Sequence, residues 1–187
     1  QYHTVIYSGL NIISVIGCLF VILLSKWFAA FLFAKDFYVA WRYVPLLTVS
    51  AMFASHGGFL ASSFRAAKKT KSLFGSVLLG SVINVGLNWT LIPRYGALGA
   101  AVATSISFTV IWLVRFVLSQ SIVEIKINKV ATFFTYVLFF GSAIAMTLDI
   151  RGAYLIVITT IVIVVLLNYK DCLLLVKGVA KVFDKKR

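Results

Sequence analysis

Few residues in this chain can do chemistry, and their spacing excludes more than it includes. The carboxylates Asp36, Glu124, Asp149, Asp171 and Asp184 are scattered singly along 187 residues. No paired carboxylate for acid–base work and no Ser/His/Asp set is visible. His3 and His56 are the two histidines, and Cys18 and Cys172 stand nearly a chain length apart. That spacing indicates neither a disulfide nor a metal site. No catalytic residue, no bound metal and no cofactor is expected, and enzyme is the weaker functional class. The remaining polar candidates adjoin or interrupt apolar runs. Arg42 follows Trp41, and Arg115 lies one helical turn after Trp112. Such cations either snorkel to a membrane interface or hold an anion. Arg65 belongs with Lys68, Lys69 and Lys71 to a cluster that contains no acid. Ser81, Asn84 and Asn88, at i, i+3 and i+7, share one helix face. Their side chains can bond ligand hydroxyls or a neighbouring helix. His56 precedes Gly57-Gly58, where it can carry a proton near neutral pH or simply pack.

The elements that hold these residues are long charge-free runs: 1–25, 43–64, 72–93, 95–114, 130–148 and 152–169. A helix rises about 1.5 Å per residue, so roughly 20 apolar residues cross about 30 Å of hydrocarbon. The pattern predicts an all-α, polytopic transmembrane bundle of about six spanning helices, at about 4–25, 40–65, 72–93, 95–117, 129–148 and 152–169. The third and fourth runs form a membrane hairpin, with Pro93-Arg94 suited to an aqueous turn between them. The segment 28–41 is too short to span again and reads as an amphipathic continuation with a turn at Lys35-Asp36. Gly57-Gly58 implies a close helix contact or a local break. Gly96, Gly99, Ala100, Ala101 and Ala103 form a small-residue face that lets two backbones approach. Three parts are expected: four helices over 1–119, two more over 120–169, and a basic tail over 170–187 resembling an amphipathic helix on an anionic leaflet.

Composition agrees. Hydrophobic residues make up 61% and charged residues 12%, about half the charged fraction of a soluble domain. The net charge of +13 does not imply nucleic acid, because the cations sit between apolar runs instead of forming one basic face. Four cations lie between the second and third runs, three between the fourth and fifth, and six in the tail; the alternate connections hold the other five. By the positive-inside rule, both ends of the segment are expected in the cytoplasm. The chain opens on Gln1 with no signal-peptide pattern and reads as a fragment of a longer protein.

The run Leu91-Ile92-Pro93-Arg94-Tyr95-Gly96-Ala97-Leu98-Gly99-Ala100-Ala101-Val102-Ala103-Thr104 resembles the "IP-x-YG-x-x-GAA-x-AT" pattern of bacterial polysaccharide flippases. These export O-antigen and capsule repeat units and belong to the multidrug/oligosaccharidyl-lipid/polysaccharide exporter superfamily. Phe37-Tyr38 and Ala66-Ala67-Lys68-Lys69-Thr70-Lys71 fall in the family's order, and the resemblance covers about residues 20–115. Where the family usually has a glycine, this chain has Ala34-Lys35. The resemblance implies the distal part of a two-lobed transporter in the bacterial inner membrane. It implies flipping of a polyprenyl-pyrophosphate-linked oligosaccharide by alternating access, with the lipid bilayer and other polysaccharide-assembly proteins as partners. Phosphate requires cations and sugar requires hydrogen-bonding groups, so Arg42, Arg115 and Arg65 with Asn84 and Asn88 become the substrate-binding candidates. The alternatives are a cation-coupled small-molecule or drug exporter of the same superfamily, and a membrane polymerase or ligase of the polysaccharide pathway. The absence of a mid-span carboxylate weighs against the exporter, and the short loops weigh against the enzyme.

Overall fold

Apolar helices with few internal charges pack here into one bundle. The computed structural model describes residues 2–32, 34–123 and 128–169; the basic tail expected over 170–187 lies outside them. Among the described residues there is no strand, and the helices are α1 (Tyr2–Leu32), α2 (Val44–Ala66), α3 (Thr70–Tyr95), α4 (Ala97–Ser119), α5 (Lys129–Thr147) and α6 (Ala153–Leu167). A 3-10 segment, Lys35–Arg42, joins α1 to α2. Helices α1 to α5 are long and apolar enough to cross a membrane. The chain is a multi-pass membrane protein.

Side-chain contacts fix the helix directions. Ser105 of α4 donates to the Leu46 carbonyl of α2 and Arg115 to that of Gly57, so these two helices run parallel. Arg115 also meets Ser76, while Gly99 abuts Leu91, which makes α3 and α4 antiparallel. Tyr136 bonds Asn11 and Asp149 pairs with Lys26, so α5 runs parallel to α1. The connections after α1, α3 and α5 therefore share one face of the bundle, and those after α2 and α4 share the other.

The core lies between α1, α2, α5 and α6, where Val15, Leu19, Ile22, Val49, Phe53, Phe139, Met146, Val157 and Val164 interlock. Helix α4 packs along α2, and α3 forms the outer edge with Phe74, Val82, Val85 and Trp89 exposed. In hydrocarbon such exposure is the lipid-facing state, and helices associate through packing and polar contacts. Ser142 with Thr160, and Thr135 with Asn168, are such contacts between α5 and α6.

Three boundaries differ from the sequence expectation. Pro93 and Arg94 do not make the hairpin turn; they sit inside the last turn of α3. The chain reverses at Gly96, whose φ of 55° and ψ of −133° suit a residue without Cβ. A proline so near a helix end removes one late hydrogen bond without stopping the helix. Helix α1 continues past Lys26 to Leu32, because Lys26 reaches Asp149 at 2.6 Å and lies 4.3 Å from the centre of the Trp41 ring. Helix α6 has 15 residues, about 22 Å, shorter than the other five. It starts after Gly152, in the left-handed region at φ 86°, and Asn168 at its end meets Thr135, well inside α5.

Helix α2 runs unbroken through His56-Gly57-Gly58, so there is no local break; a Cβ on Gly57 would make only ordinary contacts, 3.5 Å or more, and one on Gly58 would meet nothing within 4 Å. Lys68 and Asp149 take the left-handed conformation after α2 and α5. Lys69 N–H returns to the Phe64 carbonyl and Ile150 N–H to that of Ala145, satisfying helix-end carbonyls at both turns. Asn128 caps α5 through its side-chain oxygen and the Ala131 N–H, 3.2 Å apart.

Candidate functional site: a polar groove between α2, α3 and α4

Helices α2, α3 and α4 enclose a groove of about 490 Å³. Each wall follows from helical spacing. Helix α2 contributes Phe53, Ala54 and Gly57; α3 contributes Val77, Gly80, Ser81, Asn84 and Val85; α4 contributes Thr104, Ser107, Phe108, Ile111 and Arg115. The α4 set recurs at i, i+3, i+4, i+7 and i+11, one continuous face. Of the two lining glycines, Gly80 makes room and Gly57 would tolerate a Cβ at ordinary contact distance. A Cβ on Gly80 would fall 2.3 Å from Cγ1 of Ile111, and one on Gly57 would fall 3.5 Å from the Arg115 guanidinium.

Arg115 dominates the groove chemically. Its Nε donates to Ser76 Oγ at 2.9 Å and its Nη1 to the Gly57 carbonyl at 3.0 Å. A guanidinium has five N–H donors, so three remain for an anion in the groove. Gly57 is nine residues from the end of α2 and Ser76 six from the start of α3, which places the head of Arg115 roughly 9–14 Å in from that end of the bundle. A charge held at such depth faces a water-filled cavity or a bound counter-ion, because bare hydrocarbon penalises it strongly. Arg115 therefore differs from an interfacial snorkelling arginine.

The other sequence candidates separate. Asn84 lines the groove and accepts a 2.9 Å hydrogen bond from Asn88, one turn along α3. Asn88 is outside the lining, and its own side-chain oxygen has no partner. Arg65 is exposed near the end of α2, close enough for its charge to act on Arg115. Arg42 is exposed at the opposite face of the bundle, its guanidinium 5.9 Å from the Trp41 ring centre. The groove thus brings together Arg115 and Asn84, with Asn88 behind and Arg65 beside them, and leaves Arg42 apart.

Two contributors escaped the sequence reading. Ser76 anchors the guanidinium and is fixed by its own bond to the Leu73 carbonyl at 2.7 Å. It lies eight residues before Asn84 with Gly80 between, a four-residue spacing that could have revealed it. The second acceptor is a backbone carbonyl, that of Gly57, which no side-chain pattern reports. A second polar set lies on the inner side of α4. Trp112 Nε1 donates to the Tyr7 hydroxyl at 2.8 Å, and Tyr136 donates to Asn11 at 2.9 Å. Among the described residues no group of three His, Cys, Asp or Glu side chains could hold a metal.

Compared with known proteins, the chain matches no family model, no curated protein and no solved structure.

Proposed function

We propose that this chain is the distal part of a flippase that moves a lipid-linked oligosaccharide repeat unit across a bacterial inner membrane. The observation that carries the reading is Arg115, held at depth in an open groove with three N–H donors unspent and Asn84 and Ser81 beside it. A pyrophosphate-linked sugar needs that combination: a fixed cation for phosphate oxygens and neutral donors and acceptors for hydroxyls. The groove volume falls within the range of small-ligand sites, about 300–1,000 Å³. Arg65 supports the reading as a second cation near the same end, on the route a head group would take from the membrane surface.

In this reading, alternating access moves the groove from one face to the other as this lobe rocks against another. The positive-inside rule orients it with the Arg65–Lys71 connection in the cytoplasm. The bilayer holds the prenyl chain while the polar head passes through the groove. Replacing Arg115 by alanine tests the proposal in a strain lacking its own repeat-unit flippase. Loss of one buried, hydrogen-bonded charge contact lowers export at least about tenfold. The variant should reach the membrane in normal amounts. Unchanged export at normal abundance would remove Arg115 from the site and with it this reading.

A further inference from the structure

On the side of α4 away from the groove, a second hollow opens between α4 and α5. Helix α2 packs against both of them, while α4 and α5 barely meet. The hollow holds about 350 Å³, lined by Leu46 of α2, by Val102, Ile106 and Val110 of α4, and by Phe140 and Ile144 of α5. The α4 residues recur every four positions, opposite the face that lines the groove. Phe140 stacks on Phe53, with ring centres 5.8 Å apart, and forms the floor. Deeper in the bundle the Trp112 and Tyr136 ring centres come within 5.6 Å and close the inner end. The outer end lies at the face that carries the α1–α2 connection. Leu46 is the third residue of α2, Val102 the sixth of α4, and Ile144 is three residues from the end of α5. Ile106 and Ile144 are exposed at the lips.

The lining offers no free donor. Ser105 gives its hydroxyl proton to the Leu46 and Ala101 carbonyls, and Thr109 gives its own to that of Ser105. An occupant finds no hydrogen bond to accept there, which selects hydrocarbon. A helix is about 10 Å across, so 350 Å³ holds less than one turn of it, whereas a single alkyl chain fits. From Val102 to Val110 the hollow runs about 12 Å, close to the roughly 15 Å depth of one hydrocarbon leaflet. Arg42 lies four residues before Leu46, about 6 Å further out along the axis. Tyr43 between them keeps helical torsions, φ −89° and ψ −24°. Among the described residues the Arg42 guanidinium makes no hydrogen bond or ion pair, and only the Trp41 ring is near. We propose that the hollow and Arg42 form one binding site for an anionic phospholipid of that leaflet. An acyl chain fills the hollow, and the guanidinium holds the phosphate through two N–H groups. A zwitterionic lipid binds less well, because its own ammonium neutralises its phosphate. The groove and the hollow stand on opposite sides of α4, and Arg115 and Arg42 at opposite faces of the bundle. The occupant is therefore a membrane lipid and not the tail of a groove ligand, and its chain supplies the packing that α4 and α5 lack.

Phospholipids carrying a diazirine in the acyl chain test the site on the full chain in phosphatidylcholine nanodiscs. Either photoreactive phosphatidylglycerol or photoreactive phosphatidylcholine is added in trace amount, and adducts are mapped to residues by mass spectrometry. Val82 and Val85 on the exposed side of α3 give the reference for unspecific lipid contact. One basic side chain beside an anionic head group is worth a factor of about five. Relative to that reference, phosphatidylglycerol should mark Ile106 and Ile144 about fivefold more than phosphatidylcholine does. Arg42→Ala, at an exposed position, should abolish the preference. Ile106→Trp, which fills the hollow from its lip, should remove the labelling at Ile144. Hollow residues marked no more than α3, or marked equally by the two lipids, overturn the proposal. So does a preference that persists in Arg42→Ala, or Ile144 labelling that survives Ile106→Trp.

Discussion

A single methyl group at Gly99 should push α3 and α4 apart. A Cβ built there lies 2.5 Å from the Leu91 carbonyl oxygen, 2.6 Å from its carbon and 3.0 Å from Leu91 Cβ. The first two are backbone atoms of the facing helix, so no rotamer change relieves them; the helices must separate by the better part of an ångström. Overpacking of this kind costs about 1–3 kcal/mol. Alanine returns up to about 1 kcal/mol through its better helix propensity. The net for Gly99→Ala is a loss of about 1–2 kcal/mol. For a chain of this size that lowers the melting temperature by roughly 2–8 °C. Gly86, on the same helix as Leu91, is the internal control: a Cβ there meets nothing within 4 Å. Gly86→Ala should therefore hold or gain stability, by up to about 1 kcal/mol. Thermal unfolding of both variants in the same detergent, followed by circular dichroism, reads the contrast. If Gly99→Ala melts at or above the wild-type temperature, the close approach of α3 and α4 is wrong. The shape of the groove they enclose would then need redrawing.

Other consequences are open to direct measurement. A reporter fused after Lys71 should be active in the cytoplasm, because four cations cluster in that connection; a periplasmic signal would invert the bundle and reverse the direction assigned to the groove. Lys26→Ala should destabilise more than Asp149→Asn, since the lysine also lies 4.3 Å from the Trp41 ring centre. The partly exposed ion pair is worth at most about 1 kcal/mol, and the ring contact adds about 0.5–1 kcal/mol. Equal melting temperatures for the two variants would show that the ring contact contributes nothing.

The helices were legible because hydrocarbon imposes a simple rule, and charge-free runs of spanning length cannot easily be anything else. Their ends were less so. Pro93-Arg94 looks like a turn, but Gly96 alone has the backbone freedom the reversal requires. Lys26 looks like the end of α1, yet a partner 123 residues away lets the helix continue. The groove was legible in part. Asn84 showed through its shared face with Ser81 and Asn88, and Arg115 through its position beside an apolar run. Four residues from the end of α4, Arg115 reads equally as an interfacial anchor; only the Ser76 hydroxyl and the Gly57 carbonyl draw it inward. Arg42 carried the same sequence signal, an arginine beside a tryptophan, but it faces the other end of the bundle. The three apolar runs between them already set the two arginines on opposite sides; what packing between helices decides is that the head of Arg115 turns into a groove while Arg42 stays exposed.

Translocation itself is tested most directly in a strain lacking its repeat-unit flippase, complemented with the full-length gene, with lipid-linked repeat units assayed on each face of the membrane. The flippase reading predicts that units accumulate on the cytoplasmic face without the gene and reach the outer face with it. Units that reach the outer face without the gene, yet stay unpolymerised until it is supplied, would contradict it and favour a polymerase.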